Sequence, residues 1–148
     1  MTVRQVELAA TAFLPLQLLA DGLAQIAVIG RSNVGKSTLL NRLLRRRLAR
    51  SSSTPGKTLS VNYYRVNGRF HLVDLPGYGY AKTSQEERER AEALLQAYFA
   101  APSGPQLVLL LVDCRRGLGP ADLEVLATLQ EKRIPVLTVL TKSDKLSL

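Results

Sequence analysis

The sequence has one cysteine and one histidine in 148 residues. A lone cysteine, Cys114, excludes an internal disulfide framework and suits a reducing compartment. It closes the apolar run LVLLLVDC and is expected there as a small buried hydrophobe. His71 stands alone in a strand-like stretch, so a nitrogen or sulfur metal site has nothing to build on. Acidic residues are scarce beside basic ones, 12 against 20, which leaves a formal net charge of +8. No apolar run approaches the roughly 20 residues of a membrane helix. The stretch LAATAFLPLQLLADGLA has the look of a leader peptide, but Glu7, Pro15 and Gln17 break its pattern and only Arg4 charges its front. A cytoplasmic protein without a membrane partner is expected. Hydrophobic content of 46% fits a folded globule, and the length suits one domain with one core.

The order of elements comes from hydrophobic period and turn chemistry. AQIAVIG (Ala24–Gly30) is a short, β-branched run ending in glycine and reads as a buried strand. From Lys36 a helical period begins, with Leu40, Leu43, Leu44 and Leu48 on one side and Arg42, Arg45, Arg46 and Arg50 on the other. SSSTPGKT (Ser51–Thr58) is loop chemistry throughout. LSVNYYRV and RFHLVD are separated by Asn67-Gly68, a dipeptide in which both residues accept φ > 0 and which predicts a hairpin. Ser84 and Glu87 form a capping box for a helix running to about Ala100. QLVLLLVD, ADLEVLATLQEKR and PVLTVL follow as strand, helix and strand. This alternation predicts an α/β fold of three layers, a mostly parallel sheet with one antiparallel hairpin at its edge.

GRSNVGKS (Gly30–Ser37) matches G-x-x-x-x-G-K-[ST] between a predicted strand and a predicted helix. Chance produces such a pattern in on the order of 10⁻⁵–10⁻⁴ of windows, so coincidence is the weaker explanation. Its glycines let backbone N–H groups surround phosphates at a helix N-terminus. Lys36 is expected to bridge the β- and γ-phosphates, and the Ser37 hydroxyl to ligate Mg²⁺. DLPGYGY (Asp74–Tyr80) follows the strand FHLV. Asp74 is placed as the carboxylate that holds Mg²⁺ through water, and the Gly77 amide as the γ-phosphate contact. The next position, where related hydrolases carry a water-orienting glutamine, is Tyr78. TKSD (Thr141–Asp144) follows the last strand. Asp144 can accept two hydrogen bonds from guanine N1–H and its exocyclic amine, which adenine cannot supply. The stem of Lys142 can cover the base face.

GRSNVGKST, TPGKT, VDLPGYGYAK and LTKSDKL together resemble the TRAFAC-class GTPases, specifically the EngB (YihA/YsxC) family of ribosome-biogenesis GTPases. The resemblance spans nearly the whole chain, and DLPGYGYAK is its most specific part. It implies a Ras-like G domain that hydrolyses GTP slowly alone, as a switch in ribosomal subunit assembly, with a link to cell division and septation. Thr58 would be the switch threonine that ligates Mg²⁺ and senses the γ-phosphate, with Thr54 the alternative. Asn33 would help bind K⁺ beside the phosphates, its alternative role being to stabilise the loop through its own backbone. The guanine-nucleotide contacts implied are Gly30, Arg31, Ser32, Asn33, Val34, Gly35, Lys36, Ser37 and Thr38 in the first loop. Gly56, Lys57 and Thr58 follow, then Asp74, Leu75, Pro76 and Gly77, and finally Thr141, Lys142, Ser143 and Asp144. Lys36, Thr58 and Gly77 carry the catalytic expectation.

Family members continue beyond the position of Leu148 with another strand, a final helix and a loop that contacts the guanine oxygen. On that pattern residues 1–148 are a single G domain lacking its last strand and helix, with PVLTVL as an uncovered sheet edge. Weakened nucleotide affinity and self-association are expected from it. A pI near 10.1 fits rRNA in an assembling ribosomal subunit, contacted by the Arg42–Arg50 face and by Lys82, Arg88 and Arg90. DNA is not expected as a partner. A second reading is a nucleotide-dependent interaction module with negligible turnover and a non-ribosomal partner. An ATPase or small-molecule kinase is disfavoured by TKSD.

Overall fold

Alternation of side chains along four strands divides the core between two faces of one sheet. Ala27 and Ile29 point to one face with Val73, Val108 and Leu110, while Val28, Leu72, Tyr64 and Leu111 point to the other. In the computed structural model, which describes residues 1–50, 59–79 and 83–146, this sheet has six strands in the order β1-β3-β4-β2-β5-β6. The strands are β1 Val6–Ala12, β2 Ala24–Gly30, β3 Val61–Val66, β4 Phe70–Asp74, β5 Leu107–Asp113 and β6 Val136–Thr141. The helices are α1 Lys36–Leu44, α2 Gln85–Ala100 and α3 Pro120–Glu131. Helix α1 covers the Val28 face through Leu40 and Leu44, and α2 and α3 cover the Ile29 face through Leu94, Tyr98 and Leu129.

The α/β expectation holds, and the hairpin is in place. Asn67 and Gly68 have φ of 51° and 65°, and the Arg69 N–H donates to the Val66 carbonyl at 2.9 Å. Strands β2, β4, β5 and β6 run parallel. The reversed strand β3 is not the sheet's outer strand, because β1 pairs antiparallel along its far side. The first five residues of the stretch with leader-like composition, Leu8 to Ala12, are therefore part of the sheet, with Ala12 fully buried. Ser84 caps α2 as expected, its side chain accepting from the Glu87 N–H at 3.2 Å.

Helix α1 is shorter than its leucine period suggests. It stops at Leu44, and Arg45 adopts a left-handed φ of 56°. The cause is Asn41, whose side chain donates to the Ala49 carbonyl and accepts from the Ala49 N–H, both at 2.8 Å. This folds residues 45–50 back, so Leu43 is exposed and Arg42–Arg50 is a helix end plus a loop rather than one helical face. Cys114 lies just past β5 and is half-buried, not enclosed, because the chain leaves the sheet there. His71 is fully buried and held by Asp21, with 2.8 Å between Nε2 and Oδ2. Strand β6 is the outer strand among the described residues, with Leu137 and Leu140 exposed. No helix among the described residues is long and apolar enough to cross a membrane.

Candidate functional site

The first loop, the Asp74 turn and the TKSD segment leave the sheet at the C-terminal ends of the parallel strands β2, β4 and β6. In open α/β sheets ligands bind at that edge. Strand β2 delivers Gly30, and the chain turns tightly into α1 with Asn33 at φ 63° and Gly35 at φ 103°. Gly30 is required by contact rather than by φ. A Cβ there would lie 2.8 Å from Val34 Cγ1 and 3.0 Å from the Leu111 carbonyl oxygen, which belongs to the paired strand β5. Residues 31–38, with Gly77 and Lys142, line a cavity of ≈ 280 Å³.

Lys36, one of its lining residues, is paired with an acid. Lys36 Nζ is paired with Asp74 Oδ1, both nearly buried. Asp74 ends β4, and burial pushes its carboxyl above the ordinary range while Lys36 opposes that shift. The Ser37 hydroxyl donates to the Arg50 carbonyl at 2.9 Å. The Ser37 and Asp74 oxygens are hard donors of the kind Mg²⁺ takes, one from the first turn of α1 and one from the end of β4. Among the described residues no cluster of three or more His, Cys, Asp or Glu could hold a metal alone.

The turn after Asp74 is fastened to the first loop. Leu75 is buried in the core, and its N–H donates to the Val28 carbonyl at 3.1 Å. Only its backbone faces the strand ends; Pro76 and Gly77 are buried beside it. The Ser32 N–H donates to the Tyr78 carbonyl at 2.7 Å, and the Tyr78 N–H to the Gly30 carbonyl at 3.3 Å.

The TKSD segment is fastened to the same loop from the other side. The Thr141 hydroxyl donates to the Val34 carbonyl at 2.7 Å, and Lys142 Nζ donates to the Asn33 carbonyl at 2.7 Å. The Lys142 head thus braces the phosphate loop. Ser143 and Asp144 begin a 3₁₀ turn at the surface, exposed and open to a planar ligand. Thr54, Gly56, Lys57, Thr58 and Lys82 lie outside the described residues. Asn33 sits in the tight turn with a φ of 63°, and its carbonyl takes the Lys142 contact.

Asp113 and Asp122 were not anticipated. Asp113, at the end of β5, receives Arg115 in a bidentate pair, Nε to Oδ1 at 3.1 Å and Nη2 to Oδ2 at 2.8 Å. The Arg115 guanidinium holds the Asp113 carboxyl well below the usual range. An acid closing a buried strand beside a TKSD strand was the available signal for it. Asp122 is buried under the second turn and had no signal, since its partner Tyr78 is 44 positions away.

A P-loop with a paired lysine and acid, joined to a base-type motif at one sheet edge, defines a guanine-nucleotide-binding GTPase. A sequence profile described as "50S ribosome-binding GTPase" matches residues 25–142. A "Probable GTP-binding protein EngB" of Kosmotoga olearia is 46% identical over 147 residues, covering 99% of this chain and 77% of that protein. A solved structure of a probable GTP-binding protein engB aligns with TM-score 0.68 and 29% identity, over 84% of this chain and 74% of the other. Era, solved with MgGDPNP and nucleotides 1506–1542 of 16S ribosomal RNA, aligns with TM-score 0.58 and 25% identity, over 85% of this chain and 42% of Era. The chain belongs to the EngB family of GTP-binding proteins.

Proposed function

We propose that this GTPase is a slow, partner-completed switch in ribosomal subunit assembly, built on one G domain spanning residues 1–148 and working in the cytoplasm. The observation that carries the nucleotide part is the pair of 2.7 Å hydrogen bonds from Thr141 and Lys142 to the phosphate loop, which set the base motif against the phosphate site. Gly30 to Thr38 would wrap the phosphates with backbone N–H groups, Lys36 would leave Asp74 for the β- and γ-phosphates, and the Gly77 amide would meet the γ-phosphate. Asp144 would select guanine. Ser37, Asp74 through water, and Thr58 would hold Mg²⁺, which when bound neutralises charge on the phosphate oxygens. Asn33 would help hold K⁺ beside the phosphates; equal turnover in K⁺ and Na⁺ would remove that role.

The ribosomal part is supported by the profile's description, by the RNA in the Era complex and by the charge of +8. Five exposed arginines, Arg42, Arg45, Arg46, Arg47 and Arg50, offer phosphate contacts at the end of α1 and in the loop after it. A role in cell division and septation rests on family resemblance alone. Co-sedimentation with purified ribosomal subunits tests the proposal. More chain should pellet with a GTP analogue than with GDP, and no pelleting in either would reject a ribosomal partner. One observation favours the second reading, a binding module with negligible turnover. Tyr78 occupies the water-orienting position and its hydroxyl is committed elsewhere. Single-turnover hydrolysis with and without subunits separates the two.

A further inference from the structure

The Tyr78 side chain leaves the phosphate site and lies half-buried against the core that α2 and α3 close. Its hydroxyl donates to Asp122 Oδ1 at 2.5 Å. Asp122 is the third residue of α3 and only 1% exposed. Its other oxygen, Oδ2, accepts from the Gly119 N–H at 2.8 Å. A carboxylate buried at a helix N-terminus is favoured by the amide dipoles there and by this capping bond. Arg31 adds positive charge nearby. Its Nη1 is 3.4 Å from where a Cβ on Gly119 would sit, and its Nε is 3.3 Å from the same point on Gly79.

Tyr78 is thus fixed at three points. Its N–H and carbonyl bind the phosphate loop, and its hydroxyl binds α3. The residue immediately before it is Gly77, whose amide is the proposed γ-phosphate contact. Tyr78 and Gly77 also line a cavity of ≈ 280 Å³ between α2 and α3, with Leu95, Phe99 and Val125. A movement of the turn is therefore felt in that groove as well as at the phosphates.

We infer that Asp122 is a positioning residue for the γ-phosphate sensor: through Tyr78 it holds the Gly77 turn in place and ties the start of α3 to the nucleotide state. The inference rests on the guanine-nucleotide reading above and adds to it a role for the tyrosine that replaces glutamine. It distinguishes GTP from GDP, because only GTP carries the phosphate that the turn would meet.

Calorimetric titration of the full chain with Mg²⁺-GDP and with a non-hydrolysable Mg²⁺-GTP analogue tests it in Tyr78→Phe, Asp122→Ala, Asp122→Asn and the Tyr78→Phe/Asp122→Ala pair. Tyr78→Phe removes one oxygen and keeps the packed ring. The expected result is a loss of fivefold or more in analogue affinity for Tyr78→Phe and Asp122→Ala, with GDP affinity within twofold. The double variant should be no worse than the worse single one, since both remove the same contact. Asp122→Asn should restore most of the loss, its amide oxygen accepting from Gly119 and its nitrogen donating to the Tyr78 oxygen. An unchanged analogue-to-GDP ratio in Tyr78→Phe would overturn the inference, as would fully additive losses. Equal loss of both nucleotides would show a merely structural role. If the parent chain binds neither nucleotide, the guanine reading fails and the inference with it.

Discussion

Replacing Thr141 by valine removes one hydroxyl and nearly nothing else, which makes it a clean probe of how the base motif is joined to the phosphate loop. The hydroxyl has a single proton and two carbonyls in reach, Val34 at 2.7 Å and Val112 at 3.3 Å. The shorter contact takes the proton. Val34 is 4% exposed, so its carbonyl has little access to water once the donor is gone. A hydrogen bond of this kind contributes about 0.5–1.5 kcal/mol net, and an unsatisfied buried carbonyl costs about 1–3 kcal/mol. Thr141 is only half-buried, so a loss of about 1–2 kcal/mol is expected. Urea denaturation should show a lower midpoint at unchanged slope. Because the contact holds the loop itself, the population of competent loop geometry should fall, and GDP affinity with it by up to about tenfold. If midpoint and GDP affinity both match the parent, Thr141 does not hold the loop.

Gly30→Ala forces a methyl against the backbone of β5, which cannot give, and should cost about 1–3 kcal/mol in thermal unfolding. Nucleotide affinity should drop with it, and a parent-like melt would contradict the close approach. Lys36→Met removes the partner of buried Asp74 and lets burial push that carboxyl further up. A raised folded pKa means stability present at low pH and lost as pH rises through it. The variant should therefore gain stability relative to the parent as pH is lowered from neutrality, read by denaturation at each pH. Tyr64 is buried, and burial and then Asp74 push its phenol from 10.0 up to about 12. Stability should fall by about 2 kcal/mol between pH 10 and 12, and Tyr64→Phe should flatten that part of the profile.

The parts of this molecule written in local chemistry were readable. The strand-glycine-helix passage at Gly30, the Asn67-Gly68 turn and the Ser84 cap each depend on residues within a few positions of one another, and each lies where expected. Strand β1 was not legible. Its register shifts between Leu8 and Ala10, which breaks the alternation, and its partner β3 lies some fifty positions away. The end of α1 was hidden because one asparagine, not a glycine or proline, folds the following loop back. The phosphate and base motifs were legible as types and spacings. The contacts that join them, Thr141 to Val34, Lys142 to Asn33 and Tyr78 to Asp122, are products of the fold and have no sequence signature.

The central claim is a guanine-nucleotide site made where the phosphate loop meets the TKSD segment. Its most direct test is calorimetric titration of the 148-residue chain with GDP and, in parallel, with ADP, both with Mg²⁺. The expected result is saturable heat with GDP and none with ADP. Equal binding of the two would contradict the role given to Asp144, and binding of neither would contradict the site itself.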